Sequence, residues 1–164
     1  MRRAAAVLMT LLLPSVAAAQ NRDTTHARRA QSGEASERAL RAAEVPAPVR
    51  AAFQHAYPHA TVRGYSTEVE NGRRIYEVES REGSVGRDVS FGADGSVLEV
   101  EETVAMTQLP AAVRDAITRQ AAGAAVTRAE RVVAAGDTTY EFKIRGRRGE
   151  VKLKADGTAA PNEP

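Results

Sequence analysis

The chain has 164 residues, with 23 Lys and Arg against 21 Asp and Glu, no Cys and few aromatics. That length fits one domain or two very small ones. The missing Cys excludes disulfides, thiol nucleophiles, zinc–thiolate centres and the lipid-attachment Cys of a bacterial lipoprotein, and the scarcity of aromatics leaves a core of Val, Leu, Ile and Ala.

Residues 1–19 read as a secretory signal peptide. Arg2 and Arg3 form a basic start, Ala4 to Leu13 is apolar, Pro14-Ser15 breaks the run, and Ala17 to Ala19 supply small residues before a cleavage point. The apolar run is well short of the ~20 residues that a membrane helix needs, and no later segment is apolar enough to span. The expected location is the periplasm or the cell exterior. Loss of Arg2 and Arg3 takes the formal charge from +2 to 0, which argues against a nucleic-acid partner.

Residues 20–44 are polar and read as a linker. Within them, residues 34–43 are rich in Ala, Glu and Arg, and Ser32 could cap a short helix there. A solvated linker fits the same residues equally well.

A first unit is expected over 45–104. Val45-Pro46 opens it, since Pro is tolerated in a first helical turn. Val49, Ala52, Phe53, Ala56 and Tyr57 then share one helix face, and Pro58 ends the helix. Strand patterns follow over 61–70, with Gly64 as a bulge, then over 73–80, 87–91 and 97–102. Asn71-Gly72 is a strong type I′ hairpin signal, and Asp94-Gly95 marks another turn. A second unit, 105–158, repeats the order. Leu109-Pro110 precedes Val113, Ala116, Ile117, Gln120 and Ala121, and Gly123 is the helix stop. Strands are expected over 126–133, 140–145 and 151–154, with turns at Gly136-Asp137, 146–149 and Asp156-Gly157. Residues 159–164 are a polar tail, so the second unit is truncated at about three strands. Each unit alone is near the lower size limit for an independent core. The expected fold is therefore α+β: two tandem helix-plus-antiparallel-meander units, sharing a core or joined edge to edge, with both helices on one face of a sheet of about seven strands.

The repeated residues carry a resemblance. Val45-Pro46, Val49, Ala52-Phe53, Tyr57-Pro58, Ala60, Tyr76-Glu77-Val78 and Asp94-Gly95 resemble the PepSY-like domain, a group described as β-lactamase-inhibitor-like. Leu109-Pro110, Val113, Ala116-Ile117, Tyr140-Glu141-Phe142 and Asp156-Gly157 repeat the pattern. The resemblance implies an exported bacterial protein, no cofactor, and binding or inhibition of another protein, often a peptidase. It transfers no binding residue, because the matching positions are core and turn positions.

The residues themselves suggest no catalysis. No Gly-x-Ser-x-Gly elbow and no nucleophile–base–orienter set is present. The glycines fall in hairpin turns, where no phosphate loop is needed to explain them. His55 and His59 have metal-ligand spacing, but Pro58 ends the helix between them. Tyr76 and Tyr140 hold matching positions on an apolar strand face and read as core.

Charge is the feature in which the units differ. Residues 61–102 carry ten acids against five bases, a net of −5, and residues 125–158 carry five against eight, a net of +3. The solvent face of a joined sheet would be acidic at one end and basic at the other. Glu77, Glu79, Glu99, Glu101, Lys143, Arg145, Lys152 and Lys154 are the candidate partner surface. The readings it supports are a protein- or peptide-binding module, a small-ligand or divalent-cation sensor using the acidic strands, and a structural envelope protein that self-associates. Surface charge that deters edge pairing would give the same pattern.

Overall fold

The computed structural model describes residues 35–161. The signal peptide read over 1–19, and the linker up to residue 34, lie outside the described residues. Eight strands form one antiparallel sheet in chain order: β1 (Ala35–Ala39), β2 (Thr61–Glu70), β3 (Arg73–Glu82), β4 (Val85–Phe91), β5 (Val97–Thr103), β6 (Val126–Ala134), β7 (Asp137–Ile144) and β8 (Val151–Lys154). Helix α1 (Ala47–Ala56) follows β1, and α2 (Ala111–Ala121) joins β5 to β6.

Both helices start in the same way. Pro46 and Pro110 occupy the N-cap, where no backbone N–H is needed. A 3-10 turn stands before each, at Ala42–Glu44 and Met106–Gln108. The Glu44 carboxylate accepts the Arg41 N–H, and the Gln108 side-chain oxygen accepts the Ala105 N–H, each at 2.9 Å. Helix α1 ends at Ala56, two residues before Pro58, and α2 ends at Ala121, capped by Ala122 in the left-handed region.

The cross-strand register places both helices on one face. Val78, Val89, Val100 and Val133 are opposite one another across β3–β6. Val78 and Val89 pack with Val49 and Phe53 of α1. Ala129 lies on the same side of β6 as Val133, and it packs with Val113 and Ile117 of α2, together with Tyr140, Phe142, Val151 and Leu153. These are two separate apolar clusters on one continuous sheet. Of the two arrangements the sequence allows, edge-to-edge joining is the one adopted, through β5 and β6.

Two expectations are corrected. Residues 35–39 form strand β1, where a helix over 34–43 or a plain linker was expected. β1 pairs with β2 through Ala35–Val69, Arg38–Thr67 and Ala39–Ser66, which brings the sheet to eight strands, close to the expected number of about seven. The backbone hydrogen bonds of an open sheet edge override the helix preference of Ala, Glu and Arg. The turn expected at Gly136-Asp137 is Ala135-Gly136, because Ala134 and Asp137 already pair across β6 and β7.

Other local expectations match. Asn71 and Gly72 have positive φ, at 49° and 74°, as a type I′ turn requires. A register shift falls between Val62 and Gly64, and its counterpart lies between Val126 and Arg128. Beyond β8 the chain makes a single bridge, Leu153 to Ala159, in place of a fourth strand of that half.

Ala135 sits at φ 51° with Gly136 at 87°, in a turn that favours Asn at its first position. Ala135→Asn is expected to stabilise the protein by about 0.5–1 kcal/mol. Urea unfolding checks this; a midpoint at or below that of the wild type rejects it.

Candidate functional site

The helix-free face of the sheet gathers most of the charged residues picked out by the sequence. Glu79, Asp88 and Glu101 are opposite one another on β3, β4 and β5, and Glu77, Ser90 and Glu99 form the adjacent row. Alternation along each strand keeps both rows on one side. Glu79 folds over the sheet: its Oε2 would lie 3.3 Å from a Cβ placed on Gly64. Like charges directly opposite one another repel.

The same face of β7 and β8 carries Glu141, Lys143, Lys152 and Lys154. Glu141 and Lys152 pair in register, and Lys152 Nζ lies 2.7 Å from Glu141 Oε1. Lys154 is exposed at the end of β8. Arg145 lies just past β7, where its N–H donates to the Ala125 carbonyl. Seven of the eight candidate residues therefore share the strand face, and Arg145 sits at its margin.

The structure adds residues that sequence reasoning left out. Asp88 completes the row between Glu79 and Glu101. Arg128 and Glu130 of β6, with Glu150, extend the face toward β8. Arg128 reaches Glu130 at 3.1 Å and Glu150 at 2.8 Å. Burial acts against the Arg128 charge, but Glu130 and Glu150 outweigh it and hold its pKa above the usual value. The signal for Asp88 was available, as one phase of the alternating run Asp88–Phe91. The signal for Arg128 and Glu130 was not, because the bulge at Val126/Arg128 resets which side of β6 each residue occupies.

A second charged cluster lies on the helix side, between the two apolar clusters. Arg87 is buried, and its Nε donates to Glu102 Oε1 at 2.6 Å. Glu102 also accepts from Arg131 of β6. The Arg87 guanidinium stacks 4.0 Å from the centre of the Tyr57 ring at the end of α1. Burial pushes the Tyr57 hydroxyl above its ordinary pKa, with the Arg87 charge opposing. Burial also acts to raise the Glu102 pKa, but hydrogen bonds from Arg87 and Arg131 outweigh it and hold the carboxyl below the usual range. This cluster ties α1, β4, β5 and β6 together.

Among the described residues, no group of three or more His, Cys, Asp or Glu side chains is arranged to hold a metal ion. His55 is in the last turn of α1, and His59 lies beyond its end. Also among the described residues, no helix is long and apolar enough to cross a membrane.

Comparison with known proteins adds the following. The sequence model of the family described as "Putative beta-lactamase-inhibitor-like, PepSY-like" matches residues 32–85 and 75–159. No curated protein matches the chain. Among solved structures, the chain is similar to a Bacteroides eggerthii protein described as one of the "putative periplasmic proteins". That similarity has a TM-score of 0.58 and 16% identity, covering 71% of this chain and 86% of that one. It is also similar to a BLIP-like protein from Bacteroides fragilis, with TM-score 0.56 and 18% identity, covering 72% and 85%. A third is a DUF2874 family protein from Bacteroides ovatus, with TM-score 0.55 and 16% identity, covering 71% and 84%. At these identities the likeness is one of fold.

Proposed function

Because the chain belongs to the PepSY-like family, whose description is beta-lactamase-inhibitor-like, we propose that it is a non-enzymatic module of the periplasm or cell exterior that recognises or inhibits a protein or peptide partner, with peptidases among the candidates. It would act without a cofactor. Its two tandem units would be 45–104 and 105–158, with residues 1–19 a cleaved signal and 20–44 a linker from which β1 is drawn. The fold likeness to proteins described as periplasmic and BLIP-like supports this reading.

The observation that carries it is the carboxylate row Glu79–Asp88–Glu101 in register on a sheet face that neither helix covers. A row of carboxylates on an uncovered face complements a basic surface and raises the rate of encounter with it. Glu77 and Glu99 widen the acidic half, and Lys143, Lys152, Lys154 and Arg145 give the other half the opposite tendency. The partner would thus be read by both sign and position of charge.

The test uses residues 20–164 immobilised and exposed to a native envelope fraction, with crosslinking to identify what is captured. Glu79→Lys with Glu101→Lys is expected to lower saturable capture of the crosslinked protein at least about tenfold at low salt, and Lys154→Glu to change it less. Equal capture by wild type and the double variant would reject the face as the recognition surface.

A further inference from the structure

At the β6–β8 end of the helix-free face, acidic side chains are buried where solvent exposure would be the ordinary outcome. Glu130 is only 6% exposed although no helix covers that side. It stands directly opposite Glu141 in the register of β6 and β7. The side chains close over one another. Arg128 on β6 bonds Glu150 next to β8, so that ion pair spans β7. Lys143, which lies on β7 and pairs with Arg128 in the register, has a buried Nζ with no hydrogen-bond partner.

We propose that Glu130 and Glu141, opposed across β6 and β7, form a proton-binding cluster that switches the charge of this half of the face. The proposal rests on the reading of this face as the recognition surface and adds its regulation. The groups facing Glu130 are Arg128 on its own strand, Glu101 and Thr103 on β5, and Glu141 and Lys143 on β7. Asp88 on β4 acts on Glu130 from farther off. Beside β7 stand Glu150 and Lys152. Asp88, Glu101, Glu130, Glu141 and Glu150 share this region with Arg128, Lys143 and Lys152. One proton on the cluster removes one negative charge from it. It also removes the opposition of two charges at Glu130 and Glu141, and leaves Arg128 to Glu150.

Burial is the largest influence on Glu130. With the charges of Glu101, Glu150 and Asp88 it outweighs the pull of Arg128 and pushes the carboxyl up to about 7. Burial raises Glu141 in the same direction, with Lys152 opposing. In an unfolded chain a Glu titrates at about 4.3. Between those values the folded protein keeps a proton that the unfolded chain has released. Stability from this group is therefore fully present in acid, falls as pH rises from about 4.3 to about 7, and levels off above.

The experiment is a carboxyl-carbon NMR titration of the intact chain labelled at Glu, from about pH 4 to about pH 9, paired with melting curves over the same range. A Glu signal that is missing in Glu130→Gln is expected to titrate with a midpoint above about 6. The wild-type melting temperature is expected to drop between about pH 5 and about pH 8, and Glu130→Gln to flatten that drop. Glu101→Gln, which removes a neighbouring charge, is expected to move the midpoint down. Titration of both Glu130 and Glu141 below about 5, or parallel melting curves for wild type and Glu130→Gln, would overturn the proposal. If Glu130→Gln does not fold, sequence-specific assignment of the wild-type spectrum decides alone. No partner is needed, so a failed titration and a failed capture are separate results.

Discussion

Gly157→Ala is expected to destabilise the protein by about 3 kcal/mol, against about 1 kcal/mol for Gly72→Ala. Both glycines have positive φ, 81° and 74°, so both substitutions strain the backbone. They differ in what a methyl group would meet. Around Gly72 there is nothing within 4 Å, whereas a Cβ on Gly157 would lie 2.6 Å from the Ala112 carbonyl oxygen and 2.9 Å from its carbon. That carbonyl belongs to the first turn of α2 and cannot swing aside as a side-chain tip can. The Asp156 carboxylate fixes the turn by accepting from both the Thr158 N–H and its hydroxyl, at 2.9 Å and 2.6 Å. To relieve the clash, the turn must lift or α2 must slide off Phe142 and Leu153. Gly95 stands in the same relation to α1: a Cβ there would lie 2.8 Å from the Pro48 carbonyl oxygen. The Asp-Gly pair that marks each half of the sequence is thus a docking point between a hairpin and a helix start. Equilibrium unfolding in urea measures the difference, and equal losses at Gly157 and Gly72 would reject the close-contact explanation.

Glu102→Ala is expected to cost about 3 kcal/mol, near the low end for breaking a buried ion pair. The Arg87 side chain is 9% exposed and would lose the acceptor of its Nε, while its Nη1 already lacks a hydrogen-bond partner. Removing the carboxylate therefore leaves a desolvated cation facing only the Tyr57 ring and, at 3.7 Å, Glu82. Arg131 is 45% exposed, so Arg131→Ala is expected to cost under about 1 kcal/mol. The pH dependence has a definite sign. The Glu102 carboxyl is held below the ordinary range, so its contribution is complete above that range and is lost as pH falls through the lowered value. This is opposite in sense to Glu130. Thermal unfolding of the two single variants at neutral pH tests the ranking, and a larger loss at Arg131 than at Glu102 would contradict it.

Much of the fold could be read because the two halves repeat with an offset of 64 residues. Pro46 and Pro110, Val49 and Val113, Phe53 and Ile117, and Val78 and Phe142 are equivalent in both sequence and burial. Tyr140 is buried with the core, and Tyr76 packs against the other cluster half-buried, as their place on the apolar phase implies. Strand β1 was not readable, since Ala35-Ser36-Glu37-Arg38-Ala39 has no apolar alternation and gains its structure from the edge of β2. On the candidate surface, Glu77, Glu79, Glu99 and Glu101 were readable as the polar phase of β3 and β5. The burial of Glu130 and the sharing of Arg128 were not. They depend on strands far apart in sequence, and on a bulge whose effect on side-chain direction no local pattern records.

The separation of the two apolar clusters gives the sheet a mechanical property. A surface backed by one continuous core is stiff, because any bending must unpack it. Here the clusters lie under β2–β4 and under β6–β8, and they meet across the ladder of Glu99–Thr103 against Glu130–Ala134. The Arg87–Glu102–Arg131 bridge spans that ladder, and of the two clusters only Val100 on β5 reaches into it. The β5–β6 line is therefore where a change of sheet twist would unpack the least apolar surface.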